Sequence, residues 1–327
     1  MPLSSRSPVA YLAVILSALL LLAGCGGGAD AETGATRTVA TIQGDVHVPT
    51  DPKRIVVISS ALAGYLFDMG LPVAGVVPRD ADLKENATDI LWTDKAKKQG
   101  TTTLPWTADG YDLEAILAAK PDLIIGGGVG YPLGQAQKVY DKLSAIAPTV
   151  LVDKMDAWQD QYRFLAEKVF DRKADFDRAE AAYNARIAEV KSRITPPPGP
   201  SVFLTITAQG RTYVLDEARG LPTVFAQLGI PAAPLYASGR FKPYTPGGDM
   251  FLLSTEQVSQ EITQPSVFVM GFNANTTDVA ALRKNPVYDA LPAFRAGRAY
   301  DLPYWALRSD YDQAMATLDV VEKLFRK

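Results

Sequence analysis

The chain has one cysteine and one histidine among its 327 residues. A single thiol cannot close a disulfide within the chain, and these two side chains cannot supply a zinc site of the Cys-rich or multi-His kind. The same scarcity argues against hydrolysis. A serine nucleophile needs a paired general base, no Gly-x-Ser-x-Gly turn occurs, and the only imidazole is His47. His47 sits in the alternating segment Val46-His47-Val48, which reads as an edge strand with His47 at the surface. No catalytic residue and no protein metal ligand is therefore assigned. A basic excess is also missing: 33 Lys and Arg face 36 Asp and Glu, a net charge of -3, which weighs against a nucleic-acid partner. Long apolar runs are scarce too. With 47% hydrophobic and 21% charged residues, the composition is that of a globular protein, neither disordered nor many-spanning.

The one long apolar run lies between Val9 and Ala23, behind Arg6, and ends in Leu22-Ala23-Gly24-Cys25. It has the order of an export signal and is short for a spanning helix. The small-small-Cys ending resembles the lipobox of bacterial lipoproteins. That resemblance implies cleavage after residue 24 and a diacylglyceryl group on Cys25, the only membrane attachment expected. Residues 25–37, rich in Gly and Ala at their start, then read as a flexible tether.

The rest of the chain exceeds the ~250 residues at which single cores stop growing, and it alternates between strand and helix. Arg54 to Ser59, Val73 to Val77, Asp122 to Ile125 and Thr149 to Val152 read as strands. Ala61 to Met69, Leu113 to Ala119 and Gly134 to Ala145 read as helices between them, which makes residues 38–158 an α/β lobe. From Trp158 to Ile194 Gly and Pro are absent, and Ala179, Tyr183, Ile187 and Val190 fall at helical spacing, so a long helix, broken near Asp171, is expected over 159–195. It ends at Thr195-Pro196-Pro197-Pro198. A second alternation over 196–327 uses Val202 to Thr207, Leu221 to Leu228, Gln257 to Ile262, Val267 to Met270 and Ala314 to Leu324. The fold class is α/β, two Rossmann-like lobes joined by one long helix. Asp112-Leu-Glu114 before Pro121-Asp-Leu-Ile-Ile echoes Ser254-Thr-Glu256 before Pro265-Ser-Val-Phe-Val, as if each lobe carried one unit.

Val48-Pro49-Thr-Asp-Pro52-Lys-Arg54-Ile-Val-Val, Leu71-Pro-Val-Ala-Gly-Val-Val77, Leu113-Glu114 with Lys120-Pro121-Asp, and Gly297-Arg-Ala-Tyr-Asp-Leu-Pro-Tyr-Trp305 together resemble the binding proteins of ferric-siderophore and cobalamin ABC importers. No single motif decides this; their order does. The resemblance implies a monomer on the outer face of the cytoplasmic membrane, whose two lobes clamp a ligand with little hinge motion. It implies delivery to the permease subunits of an importer, with iron held by its chelator and no cofactor of the protein's own.

In open α/β sheets ligands sit beyond the carboxyl ends of the strands. In the first lobe those positions bring Arg79, Trp106 and Tyr131, the last following Gly126-Gly-Gly-Val-Gly130. That glycine run lacks the spacing of a phosphate loop and reads as a turn near the cleft. In the second lobe they bring Arg211, Tyr213, Arg240, Tyr304, Trp305 and Arg308. Flat aromatic walls and arginine forks suit a bulky, often anionic ferric chelate. Haem or cobalamin in the same fold stays open, as do the readings of a structural or adhesive envelope lipoprotein and of a hydrolase. Glu114 and Glu256 occupy matching slots at two helix starts, where the dipole favours a carboxylate. The resemblance implies that they also pair with arginines of the permease.

Overall fold

A computed structural model describes residues 34–79, 91–107, 109–153 and 155–327. Cys25 and the apolar run before it lie outside the described residues.

An antiparallel hairpin of β1 (Thr36–Thr41) and β2 (Gly44–Pro49) precedes the first lobe and pairs Thr38 with His47. His47 is exposed there, its Nδ1 3.3 Å from Thr38 Oγ1. The first lobe then builds a five-stranded parallel sheet from β3 (Ile55–Val57), β4 (Val73–Val76), β5 (Thr102–Thr103), β8 (Leu123–Gly127) and β9 (Thr149–Val152), in the order β5-β4-β3-β8-β9. A short hairpin of β6 (Trp106–Thr107) and β7 (Gly110–Tyr111) lies between β5 and β8 in sequence. β3, β8 and β9 are buried at every position, as expected of strands covered on both faces.

The second lobe carries another five-stranded sheet, of β10 (Ser201–Ile206), β11 (Thr212–Leu215), β12 (Met250–Leu253), β13 (Ser266–Gly271) and β14 (Ala299–Asp301), in the order β12-β11-β10-β13-β14. β10, β13 and β14 run parallel, whereas β11 and β12 are antiparallel to their neighbours. The sequence pattern foresaw β10 and β13 but not β11, β12 or β14. These three are at most four residues long, and none carries an unbroken β-branched run like Ile55-Val56-Val57 of β3.

Strand periodicity divides the core. In the first lobe Ile55, Val57, Leu123 and Ile125 face one cluster, while Val56, Ile58 and Ile124 face another with Trp106 and Leu133. In the second lobe Phe203 and Phe268 join the first of these clusters, and Val202, Leu204, Val267 and Val269 form a third. One core is thus shared by both lobes. It is assembled on the connecting helix and the final helix (Tyr311–Phe325).

The connection is not one uninterrupted α-helix. Trp158–Arg163 is α-helical, Phe164–Val169 widens into a π-helical turn, and Lys173–Arg193 is a helix of 21 residues, about 30 Å long. The break falls at Asp171, where the backbone takes φ 55°. The expected helix over 134–145 is likewise two, Tyr131–Lys138 and Tyr140–Ile146, because Val139 leaves helical geometry at φ −118°. Where the lobes meet, Tyr65, Trp158, Tyr162, Tyr183 and Tyr311 pack ring on ring, with Trp158 5.0 Å from Tyr183 and 5.3 Å from Tyr311. Lys95 of the first lobe lies 2.6 Å from Asp312 of the final helix.

Candidate ligand cleft

Residues that follow β3, β4 and β8 of the first sheet and β11 and β13 of the second line a cavity of about 280 Å3. Ser59 and Ser60 follow β3, Arg79 follows β4, and Gly128 and Val129 follow β8. Arg219 and Gly220 follow β11, and Phe272 and Asn273 follow β13. Trp106, Trp158 and Leu307 add apolar wall.

Three arginines line the cavity, each already held. Arg308 forks onto Asp249, with Nε 2.9 Å from Oδ2 and Nη2 2.8 Å from Oδ1, and Nη2 also donates to the Tyr244 hydroxyl at 3.0 Å. Burial by itself would raise the Asp249 carboxyl, but the Arg308 guanidinium outweighs it and holds the group below the usual carboxylate range. Arg219 lies 3.2 Å from Asp156 and 3.5 Å from Asp216 and donates to the Gly248 carbonyl at 2.7 Å. Burial raises Asp216, opposed by the Ala218 N–H and by Arg219. Arg79 reaches across the cleft and donates to the Tyr304 carbonyl at 3.3 Å, its guanidinium 5.3 Å over that ring.

Three residues of this wall each carry an atom buried without a protein partner: Trp106 Nε1, Trp158 Nε1 and Asp156 Oδ1. Such groups cost stability until something meets them. The glycine run after Ile125 is shaped by close approach. At Gly127, with φ +93°, a Cβ would stand 2.3 Å from the Val152 carbonyl. At Gly130, with φ +76°, it would stand 2.6 Å from the Tyr244 hydroxyl of the other lobe. The run is a turn at the cleft, and Gly130 lets the lobes touch.

A family model described as periplasmic binding protein matches residues 55–304. The chain belongs to the periplasmic binding protein family. It is 28% identical over 98% of its length to the ferric enterobactin-binding periplasmic protein FepB of Escherichia coli O6:H1, covering 99% of that protein. It is 23% identical over 99% of its length to the Fe(3+)-citrate-binding protein YfmC of Bacillus subtilis, again covering 99%. The solved structure of holo-ViuP shares the fold at a TM-score of 0.74 and 20% identity, over 89% of this chain and 95% of that one.

In this periplasmic binding protein the cavity wall takes in Arg79, Trp106 and Arg308 of the nine residues read from sequence as cleft candidates. Tyr131 stands beside it, its ring 6.2 Å from Trp106. Tyr213 is buried behind the wall against Phe272, at 5.5 Å. Tyr304 is buried beneath Arg79, and Trp305 packs partly buried against the shared core. Arg211 is exposed on the turn between β10 and β11. Arg240 is exposed and clamped by Glu261 at 2.5 and 2.7 Å. Arg219, Asp249, Asp156 and Trp158 were not foreseen. The rule of reading past strand ends would have found Arg219 had β11 been recognised; Asp249 stands just before β12, where that rule does not look.

Glu114 and Glu256 are exposed in the first turns of the helices Leu113–Ala118 and Thr255–Glu261. Asp112 Oδ1 caps the first by accepting from Ala115 N at 2.9 Å, and Ser254 caps the second through a capping box with Gln257. Both glutamates stand two residues past the cap, where the dipole favours them.

Proposed function

We propose that this protein captures a ferric siderophore in the cleft between its lobes and delivers it to the permease of an ABC importer. The observation that carries this is the cavity itself: aromatic rings and three arginines converge from the strand ends of both sheets. A guanidinium beside an aromatic face recognises planar, oxygen-rich chelates through charge and stacking together. Iron is the cargo, carried within its chelate, and the protein needs no cofactor to hold it. The relatives that bind ferric enterobactin and ferric citrate support this substrate class.

Delivery rests on Cys25 and the two glutamates. A diacylglyceryl group on Cys25 anchors the chain stably, and the tether keeps the lobes at high local concentration beside the permease. Glu114 and Glu256, exposed one per lobe, pair with arginines of the two permease subunits, and a monomer presents both. Iron uptake by cells carrying Glu114→Ala with Glu256→Ala is expected to fall by roughly tenfold or more, the scale of a lost interfacial charge pair. Ligand affinity of the purified variant is expected to stay unchanged. Unimpaired uptake would contradict the docking role.

A further inference from the structure

The inner cavity is small for a whole siderophore, since ligand pockets commonly run ~300–1,000 Å3. It does not end at its own wall. A second, more open groove of about 650 Å3 shares Asp156, Ala157, Gly220 and Thr223 with it. At this shared rim a Cβ on Gly220 would lie 3.9 Å from the Asp156 carbonyl, an ordinary contact.

Beyond the rim the groove runs between Ala218 of the second lobe and Phe164 of the connecting segment. Phe164 opens the π-helical turn, closed by the bond from Phe170 N to the Leu165 carbonyl at 3.0 Å. Such turns are rare and occur often at functional sites. Phe164 remains partly exposed, at the edge of the shared core. Of the charges of the groove, Asp156 is already paired with Arg219 at 3.2 Å, and the rest balance: Asp160 and Glu167 against Arg163 and Lys168. Arg163 is already engaged, 3.3 Å from Asp160 and 3.1 Å from Glu180, over the Phe176 ring at 4.7 Å. These walls favour neither sign of charge and offer apolar surface.

Building on the ferric-siderophore reading, we propose that this groove is a second compartment of the binding site, holding an uncharged aliphatic or amide-linked arm of the chelator while the iron centre sits in the inner cavity. The preferred ligand is then a chelate with an extended arm rather than a compact cage.

The test uses the purified chain and four iron(III) chelates: a trihydroxamate and a triscatecholate, each with and without an N-linked acyl arm. In the wild type the arm is expected to tighten binding by about tenfold, the effect of burying roughly two methylenes. Ala218→Trp, which fills the groove, and Phe164→Ala, which removes its apolar wall, are both expected to abolish that increment. Neither residue lines the inner cavity, so affinity for the armless chelate is expected to change by less than about twofold, well under 1 kcal/mol. Thermal melts of both variants check that the fold is kept. The proposal is overturned if the arm adds no affinity in the wild type, or if the increment survives both substitutions. If the wild type binds none of the four chelates, the ferric-siderophore reading falls with it.

Discussion

Arg308 is the side chain on which the cleft most depends for its charge. Its guanidinium satisfies both oxygens of Asp249, a carboxylate only 11% exposed, and the hydroxyl of Tyr244 beside Gly130. Removing it leaves Asp249 buried and uncompensated. Arg308→Ala is expected to cost about 3–5 kcal/mol in urea unfolding, the usual effect of breaking a buried pair from one side. A loss within experimental error would mean that Asp249 is not buried as described. Asp310 presents the opposite case. It caps the final helix through Gln313 N at 2.9 Å, while its Oδ2 has no partner and stands where a Cβ on Gly64 would be. Burial drives its carboxyl up to about 7. The Gln313 N–H, Arg79 and Lys95 pull it down, and Asp312 adds to the rise; the Asp310 charge in turn helps raise the buried Tyr65, after burial itself. Because the folded value lies above the unfolded ~3.9, the native state loses stability as pH rises from about 4 to about 7. Asp310→Asn does not titrate, so the wild type is expected to lose stability relative to it across that window. Parallel pH profiles of the two chains would refute this.

Among the elements, the connecting helix and the final helix are joined by charge as well as by packing. Arg186 meets Asp319 at 2.7 Å and Glu322 at 2.5 Å, and Arg326 meets Glu322 at 2.7 Å. Hydrogen bonds from Arg186 and Arg326 hold the Glu322 carboxyl down at about 2, against the opposing effect of burial. The unfolded value is ~4.3, so this contribution is complete above that pH and is lost as pH falls toward about 2. Glu322→Gln is expected to be less stable than the wild type at neutral pH, with the gap closing between about pH 4 and 2 in denaturant titrations. A gap that does not depend on pH would contradict the assignment.

These elements also show what sequence could and could not tell. The β-branched run Ile55-Val56-Val57 and the Pro-free stretch from Trp158 announced themselves, because burial on both faces and a long helical period leave repeated marks. β11, β12 and β14 left none, and Arg219 was hidden with them. Arg240 looked like a cleft residue by type and position. Its commitment to Glu261, twenty-one residues on, depends on a tertiary approach that no local pattern carries.

At the scale of the molecule, the lobes are tied at several points. They share one core, the aromatic cluster around Trp158, the reach of Arg79 to the Tyr304 carbonyl, and the close approach at Gly130. Ties of this kind favour small adjustments on ligand binding over a wide hinge. The order of motifs along the chain disclosed that architecture, and strand-end positions disclosed Arg79, Trp106 and Arg308. How the three arginines were paired was not legible, since Asp249, Asp156 and Asp216 meet them only in three dimensions.

Trp106 and Trp158 both line the cavity, so intrinsic fluorescence reports directly on what enters it. Titration with iron-loaded catecholate, carboxylate and hydroxamate siderophores is expected to give saturable quenching by at least one of them, at one chelate per chain. Much of the change should be lost in Trp106→Phe. No response to any of the three classes would contradict the account of this cleft as a ferric-siderophore site.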